Sequence, residues 1–146
     1  QAGYNVLFLS AVEMVTRLLE AQQQGTLRPA LKQLLKPDLL IVDEVGYIPF
    51  ARVAANLFFQ VINGRYERGS MILTSNRAFS GWGEVFGGDV VVAAAMIDRL
   101  VHHAEIISLK GSSYRLKGKE TFTQAGAVAA AAVGAGLLQG ERNAES

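Results

Sequence analysis

The chain has no cysteine, which excludes disulfides and cysteine-ligated metal centres and fits the cytosol. It has no excess of one charge, with 14 basic side chains against 13 acidic ones. No global field therefore draws it to nucleic acid or to a membrane surface, and any nucleic-acid contact must be a local patch. No apolar run reaches the length of a bilayer span, and no secretory signal opens the chain. Its first residue is Gln1 and not Met, so we expect a fragment of a longer chain. Half of the 146 residues are hydrophobic and 18% are charged. That composition can bury a sizeable core in one domain, or part of one, and is not that of a disordered chain.

The most informative stretch is Pro37–Glu44, P-D-L-L-I-V-D-E. An unbroken apolar run, Leu39–Val42, leads into two adjacent carboxylates, Asp43 and Glu44. Such a run reads as a strand buried on both faces, with Pro37 tolerated at its start. Acids at the C-terminal end of a parallel strand sit where open α/β sheets bind ligands. In a phosphate-handling site the first acid can hold Mg²⁺ and the second can orient or deprotonate a water, the logic of a Walker B element. The plainer reading is a strand that ends in a solvated acidic turn.

Around this stretch the chain alternates strands and helices. Tyr4–Ser10 reads as a strand, and Ser10 with Glu13 can form a capping box for a helix from Ala11 to about Gln23, ended by Gly25. Leu27–Lys36 reads as an amphipathic helix. Ala51–Arg68 carries a stripe of Ala54, Leu57, Phe58, Val61, Ile62 and Tyr66 at helical spacing. Met71–Ser75 is a short apolar strand, Asp89 can cap a helix from Val90 to about His103, and Ala104–Lys110 is a further strand. This order predicts an α/β fold with a parallel sheet and helices on both faces. From about residue 120 the composition turns to Ala, Gly and Val, and we expect a weakly ordered tail over 120–146, with a marginal helix as alternative.

Two more positions bear on chemistry. Asn76 ends the strand that would lie beside the Asp-Glu strand. Its amide could hydrogen-bond a γ-phosphate and the attacking water, the sensor-1 role in AAA+ ATPases; a turn-capping Asn is the alternative. Arg99 lies near the end of the next helix, where AAA+ proteins place an arginine that reaches a neighbouring subunit's nucleotide. A surface arginine paired with a carboxylate is the alternative. Trp82 and Phe79 read as loop anchors. His102 and His103 suit a helix C-terminus and need no ligand role. Lys110, Arg115, Lys117 and Lys119 form a basic cluster that could touch DNA phosphates or be a solvated rim.

The segments A-G-Y-N-V-L-F, P-D-L-L-I-V-D-E-V-G-Y-I-P, A-N-L-F-F-Q-V-I-N-G-R-Y-E-R-G-S, I-L-T-S-N-R-A-F-S-G-W-G-E-V-F-G, I-D-R-L-V-H-H-A and G-S-S-Y-R-L-K together resemble the IstB-like helper ATPases of bacterial insertion sequences. These are relatives of the helicase loader DnaC and the initiator DnaA. The resemblance covers about Ala2 to Lys117, and the F-S-x-W-G-E-V-F-G run is its most specific part. It implies an AAA+ ATPase that uses ATP and Mg²⁺, forms homo-oligomers on DNA and assists a transposase. By position, Asp43 resembles the Mg²⁺-linked acid, Glu44 the water-activating acid, Asn76 sensor 1 and Arg99 the arginine acting between subunits, with Arg77 also near the nucleotide edge.

One departure is large. The phosphate-cradling run G-x-x-x-x-G-K-[ST] does not occur, and Gly118-Lys119 is followed by Glu120. In the family that loop, with its strand and helix, precedes the matching region. The expectation is a partial P-loop NTPase fold of three layers over residues 1–119, its central phosphate-loop strand missing. Met71–Ser75 would then present a bare edge, and Ala104–Lys110 would leave a gap or shift to fill it. Two classes of function follow: an ATP-hydrolysing helper of transposition (or a DnaC-like helicase loader), and a non-catalytic remnant or interaction module that keeps the fold without turnover.

Overall fold

The computed structural model describes residues 3–109 and 128–133. Strand β1 (Val6–Ser10) leads into helix α1 (Ala11–Gln23), followed by α2 (Leu27–Leu35), β2 (Leu39–Val45), α3 (Arg52–Arg65) and β3 (Ser70–Ser75). A 3₁₀ turn at Phe79–Gly81, a short helix α4 (Trp82–Val85), α5 (Val90–His102), β4 (Ala104–Leu109) and β5 (Val128–Val133) complete the described chain. Both N-caps form: the Ser10 hydroxyl accepts from the Glu13 amide at 3.0 Å, and Asp89 accepts from the amides of Val91 and Val92; of the expected capping box only the Ser10 half is made, since the Glu13 carboxylate accepts from Arg17 instead. Each cap satisfies donors that the first helical turn leaves without partners.

The described strands make one sheet in the order β1-β2-β3-β5-β4. β1, β2 and β3 pair in parallel, with Leu7, Leu40 and Met71 in register. Every crossover from β1 to β4 moves the same way along the sheet. Right-handed connections then place all their helices on the same face. The core agrees: Leu9, Leu40, Val42, Met71 and Leu73 bury against Met14 and Leu18 of α1, Phe58 and Val61 of α3, and Met96 and Leu100 of α5. The other face carries Val6, Phe8, Ile107 and Leu109, all exposed. Among the described residues, helices thus cover one of the two faces that the full three-layer fold covers.

The tail departs from expectation. Val128–Val133 is neither irregular nor helical; it forms β5, antiparallel to both β3 and β4, with Met71 paired to Val133 and Ser75 to Ala129. Neither a gap nor direct β3–β4 pairing occurs, and the β3 edge is covered. The physical reason is the pair of strand edges that β3 and β4 would otherwise leave open. Each buried backbone group without a partner costs on the order of 1–3 kcal/mol. Alanine's preference for helix over strand is worth only tenths of a kcal/mol per residue. The rest of 120–146 lies outside the described residues.

A buried arginine ties the helical layer to the sheet. Arg65, 2% exposed, ends α3. Its Nη1 donates to the carbonyls of Leu34 (3.0 Å) and Leu35 (3.3 Å), and its Nη2 to those of Pro37 (2.9 Å), Asp38 (3.4 Å) and Ser70 (2.7 Å). One side chain therefore closes the C-terminus of α2, the turn into β2 and the start of β3.

Candidate active site

The C-terminal edge of the parallel strands gathers Asp43, Glu44, Thr74, Ser75 and Asn76. β2 and β3 stay in register to Val42↔Leu73, then resume at Val45↔Ser75. Asp43 and Glu44 together oppose Thr74 alone, so the acid pair sits in a β-bulge. A bulge re-aims side chains and raises local twist. Glu44 takes a left-handed backbone, φ 62°. A non-glycine residue held there costs free energy and is over-represented at functional sites. Gly46 follows at φ 94°, and a Cβ there would stand 3.2 Å from the Arg77 side chain and 3.4 Å from Asn76 Oδ1. Glycine lets the chain turn closely past the tip of β3.

Thr74 organises the bulge. Its hydroxyl donates to Asp43 Oδ1 and accepts from the Glu44 amide at 3.0 Å. One hydroxyl thus aims the half-buried Asp43 carboxylate and holds the backbone that presents the exposed Glu44. The Ser75 hydroxyl, buried, donates to the Val45 carbonyl at 2.5 Å and accepts from the Arg77 amide at 3.1 Å. That leaves Asn76 exposed at the strand tip beside the acids. Trp82 is buried, packs edge-on against Phe79, and donates from Nε1 to the Arg77 carbonyl. The aromatic loop therefore braces the Asn76–Arg77 turn. Arg77 itself reaches Glu84 at 3.4 Å between exposed side chains, a weak pair.

Arg99 is not brought to these residues. α5 runs from the site edge back to the start of β4, so Arg99 lies at the opposite edge of the sheet. With β3 spanning six residues, the two edges are roughly 20 Å apart. The Arg99 guanidinium lies 5.8 Å from the Phe59 ring centroid and 5.3 Å from that of Tyr66. Among the described residues, its Nε is buried without a hydrogen-bond partner. Lys110, Arg115 and Lys117 lie outside the described residues. Gly46 read from the sequence only as a loop former, and the role of Thr74 escaped that reading. The one available signal was a hydroxyl residue two positions before Asn76, and its role depends on a bulge that no local pattern announces.

Parallel strands β1, β2 and β3 joined by helical crossovers define the class: an α/β fold that matches part of the AAA+ P-loop NTPase fold seen in DnaA. Solved DnaA structures share the fold. AMPPCP-bound DnaA from Aquifex aeolicus superposes with a TM-score of 0.55 at 23% identity, over 66% of this chain and 30% of that one. DnaA bound to AMPPCP and single-stranded DNA does so at 0.55 and 24%, over 65% and 29%. The chain belongs to the IstB-like ATP-binding protein family, whose model matches residues 1–122. It is 48% identical to the insertion sequence IS21 ATP-binding protein of Pseudomonas aeruginosa, over 81% of this chain and 44% of that relative. It is 48% identical to the IS5376 ATP-binding protein of Geobacillus stearothermophilus, over 80% and 46%. An insertion sequence ATP-binding protein of Sinorhizobium fredii is 36% identical over 98% of this chain and 49% of its own length. The chain spans about half the length of the curated relatives it matches.

Proposed function

We propose that this chain supplies the hydrolytic half of an ATP-hydrolysing helper of DNA transposition, a cytoplasmic protein that oligomerises on DNA and works with a transposase. The observation that carries the proposal is the Asp43–Glu44 bulge held by Thr74 beside Asn76. Carboxylate oxygens on a rigid strand tip suit Mg²⁺, a hard cation that prefers oxygen ligands and keeps several waters. Asp43 would hold it, and the ion would neutralise charge on the phosphates. Glu44, exposed on the bulge, would take a proton from a water. Asn76 would hydrogen-bond the terminal phosphate. Arg99, at the far edge, cannot serve its own chain's site; in the proposal it leaves the Phe59 and Tyr66 rings to act on a neighbour's. The basic residues Lys110, Arg115 and Lys117 are the proposed DNA contacts.

The test uses a longer polypeptide with a phosphate-binding segment joined ahead of residue 1. Glu44→Gln should lower ATP turnover by about 10²–10⁴-fold, the range for loss of a general base, while nucleotide binding persists. Parental turnover in that variant would refute the assignment.

The second reading is a module without turnover. It is favoured by the absence of a G-x-x-x-x-G-K-[ST] run from these 146 residues. Without backbone amides and a lysine around the phosphates, most anion contacts are missing. Calorimetric titration of residues 1–146 with Mg-ATP should show no binding. A micromolar affinity would show that other residues cradle the phosphates.

A further inference from the structure

We propose that Glu67, His102 and His103 form a binding site for a divalent transition-metal ion of the zinc class. The three residues come from two segments that meet at the N-terminal edge of the sheet. Glu67 lies just beyond the C-cap of α3, and the histidines end α5. One potential ligand atom from each lies within 4.8 Å of the other two. The chain has only two histidines and no cysteine. Both histidines therefore stand at this one place, beside a carboxylate.

The local backbone builds the cluster. Successive residues inside a helix point about 100° apart. His103 has left the helix, at φ −127° and ψ 15°. The two rings can therefore stack, with centroids 4.4 Å apart. Glu67 is held at φ 59°, in the left-handed region, and its Oε1 lies 2.9 Å from His103 Nε2. Two such donors on a tetrahedral zinc stand about 3.3 Å apart, so a metal can replace the shared proton with a small outward shift. The His102 ring, bonded through Nδ1 to the Tyr66 hydroxyl, has its orientation set by that partner, as histidine ligands commonly do. All three side chains are exposed, so the rings can turn to aim their lone pairs and water can fill remaining positions.

The surrounding electrostatics favour a cation. The C-termini of α3 and α5 both end here, and each carries partial negative charge. Asp98 adds a carboxylate on α5 one turn before His102. Arg99 opposes, but its charge is spread against the Phe59 and Tyr66 rings. A bound ion would cross-link the ends of α3 and α5 and fix Tyr66, on which Arg99 rests.

The experiment is a titration of the untagged full chain with Zn²⁺, by calorimetry and by histidine Cε1 proton NMR, with Co²⁺ absorption as a spectroscopic reporter. We expect one ion per chain at micromolar affinity, with both histidine resonances shifted together. We expect affinity to fall at least about tenfold in Glu67→Gln and in His103→Ala, and binding to vanish in the double variant His102→Ala/His103→Ala, with unchanged far-UV circular dichroism. Binding that survives the double variant would overturn the proposal. So would an unaltered affinity in Glu67→Gln, or histidine resonances that stay fixed in the unsubstituted chain.

Discussion

Replacing Arg65 by Met should remove a large part of the protein's stability without touching the candidate active site. Methionine keeps the apolar stem and approximate length but donates nothing. The carbonyls of Leu34, Pro37 and Ser70, at 3.0, 2.9 and 2.7 Å from the guanidinium, lose their charged donor. A hydrogen bond to a charged group contributes roughly 1.5–3 kcal/mol net. Three of them come to about 4.5–9 kcal/mol. Against this stands relief from burying a charge: burial pushes the Arg65 pKa down, and nearby Asp38 only partly restores it. Weighed against that relief, the buried carbonyls left without a donor, at roughly 1–3 kcal/mol each, give an expected loss of about 3–5 kcal/mol. That is much of the roughly 5–15 kcal/mol available to a domain. Urea denaturation followed by circular dichroism measures it, with the midpoint falling and the slope unchanged. Arg65→Lys should recover little, because one ammonium cannot span carbonyls on α2, the β2 approach and β3. A loss below about 1 kcal/mol in Arg65→Met would show that water replaces the guanidinium, and would refute its role as the tie between the layers.

Gly69→Ala tests the same tie from the other side: its Cβ would stand 2.7 Å from Arg65 Nη2 and 2.9 Å from Cζ. Because the guanidinium is pinned, the substitution should cost about 1–3 kcal/mol, read by the same unfolding curves; parental stability would show that the arginine moves freely. For Arg99, the prediction concerns oligomers of a longer polypeptide that binds ATP. Arg99→Ala should be inactive alone, and mixing it with Glu44→Gln subunits should restore activity at interfaces that pair an intact Glu44 with a neighbour's intact Arg99. No regain at any mixing ratio would argue against a role between subunits.

Much of the fold was legible because its signals are local. The apolar run Leu39–Val42, the Ser10 and Asp89 caps and the α3 stripe from Ala54 to Ile62 each act within a few residues and lie where the pattern predicted; Tyr66, read as part of that stripe, is instead the C-cap just past Arg65, where the helix ends. That the acids and Asn76 would share an edge was legible, because the strand ends of a parallel sheet meet there. The hydroxyl of Thr74 was not, because its reach to Asp43 depends on a register shift between strands 30 residues apart. Arg65 was hidden for a similar reason: its partners come from three segments, and an arginine on an amphipathic helix reads as solvated. β5 was misread because alanine and valine were weighed for their own preference, not for the two strand edges waiting for them. Helical coverage of one sheet face follows from strand order, which periodicity does not encode.

The position of β5 also sets an order of events as the chain is made. Met71 must wait for Val133, and Ser75 for Ala129. At ~5–20 residues per second, roughly 3–12 s of synthesis separate β3 from its second neighbour. Helices and local turns form in microseconds, so α1, α3 and α5 can pack while the middle of the sheet is still unwritten. The nascent chain therefore carries an unzipped seam along β3 from the making of that strand until β5 emerges. It closes only when the last strand, running against the direction of the others, is threaded between two elements already in place. Any event that pauses the ribosome before Val128 leaves that seam open.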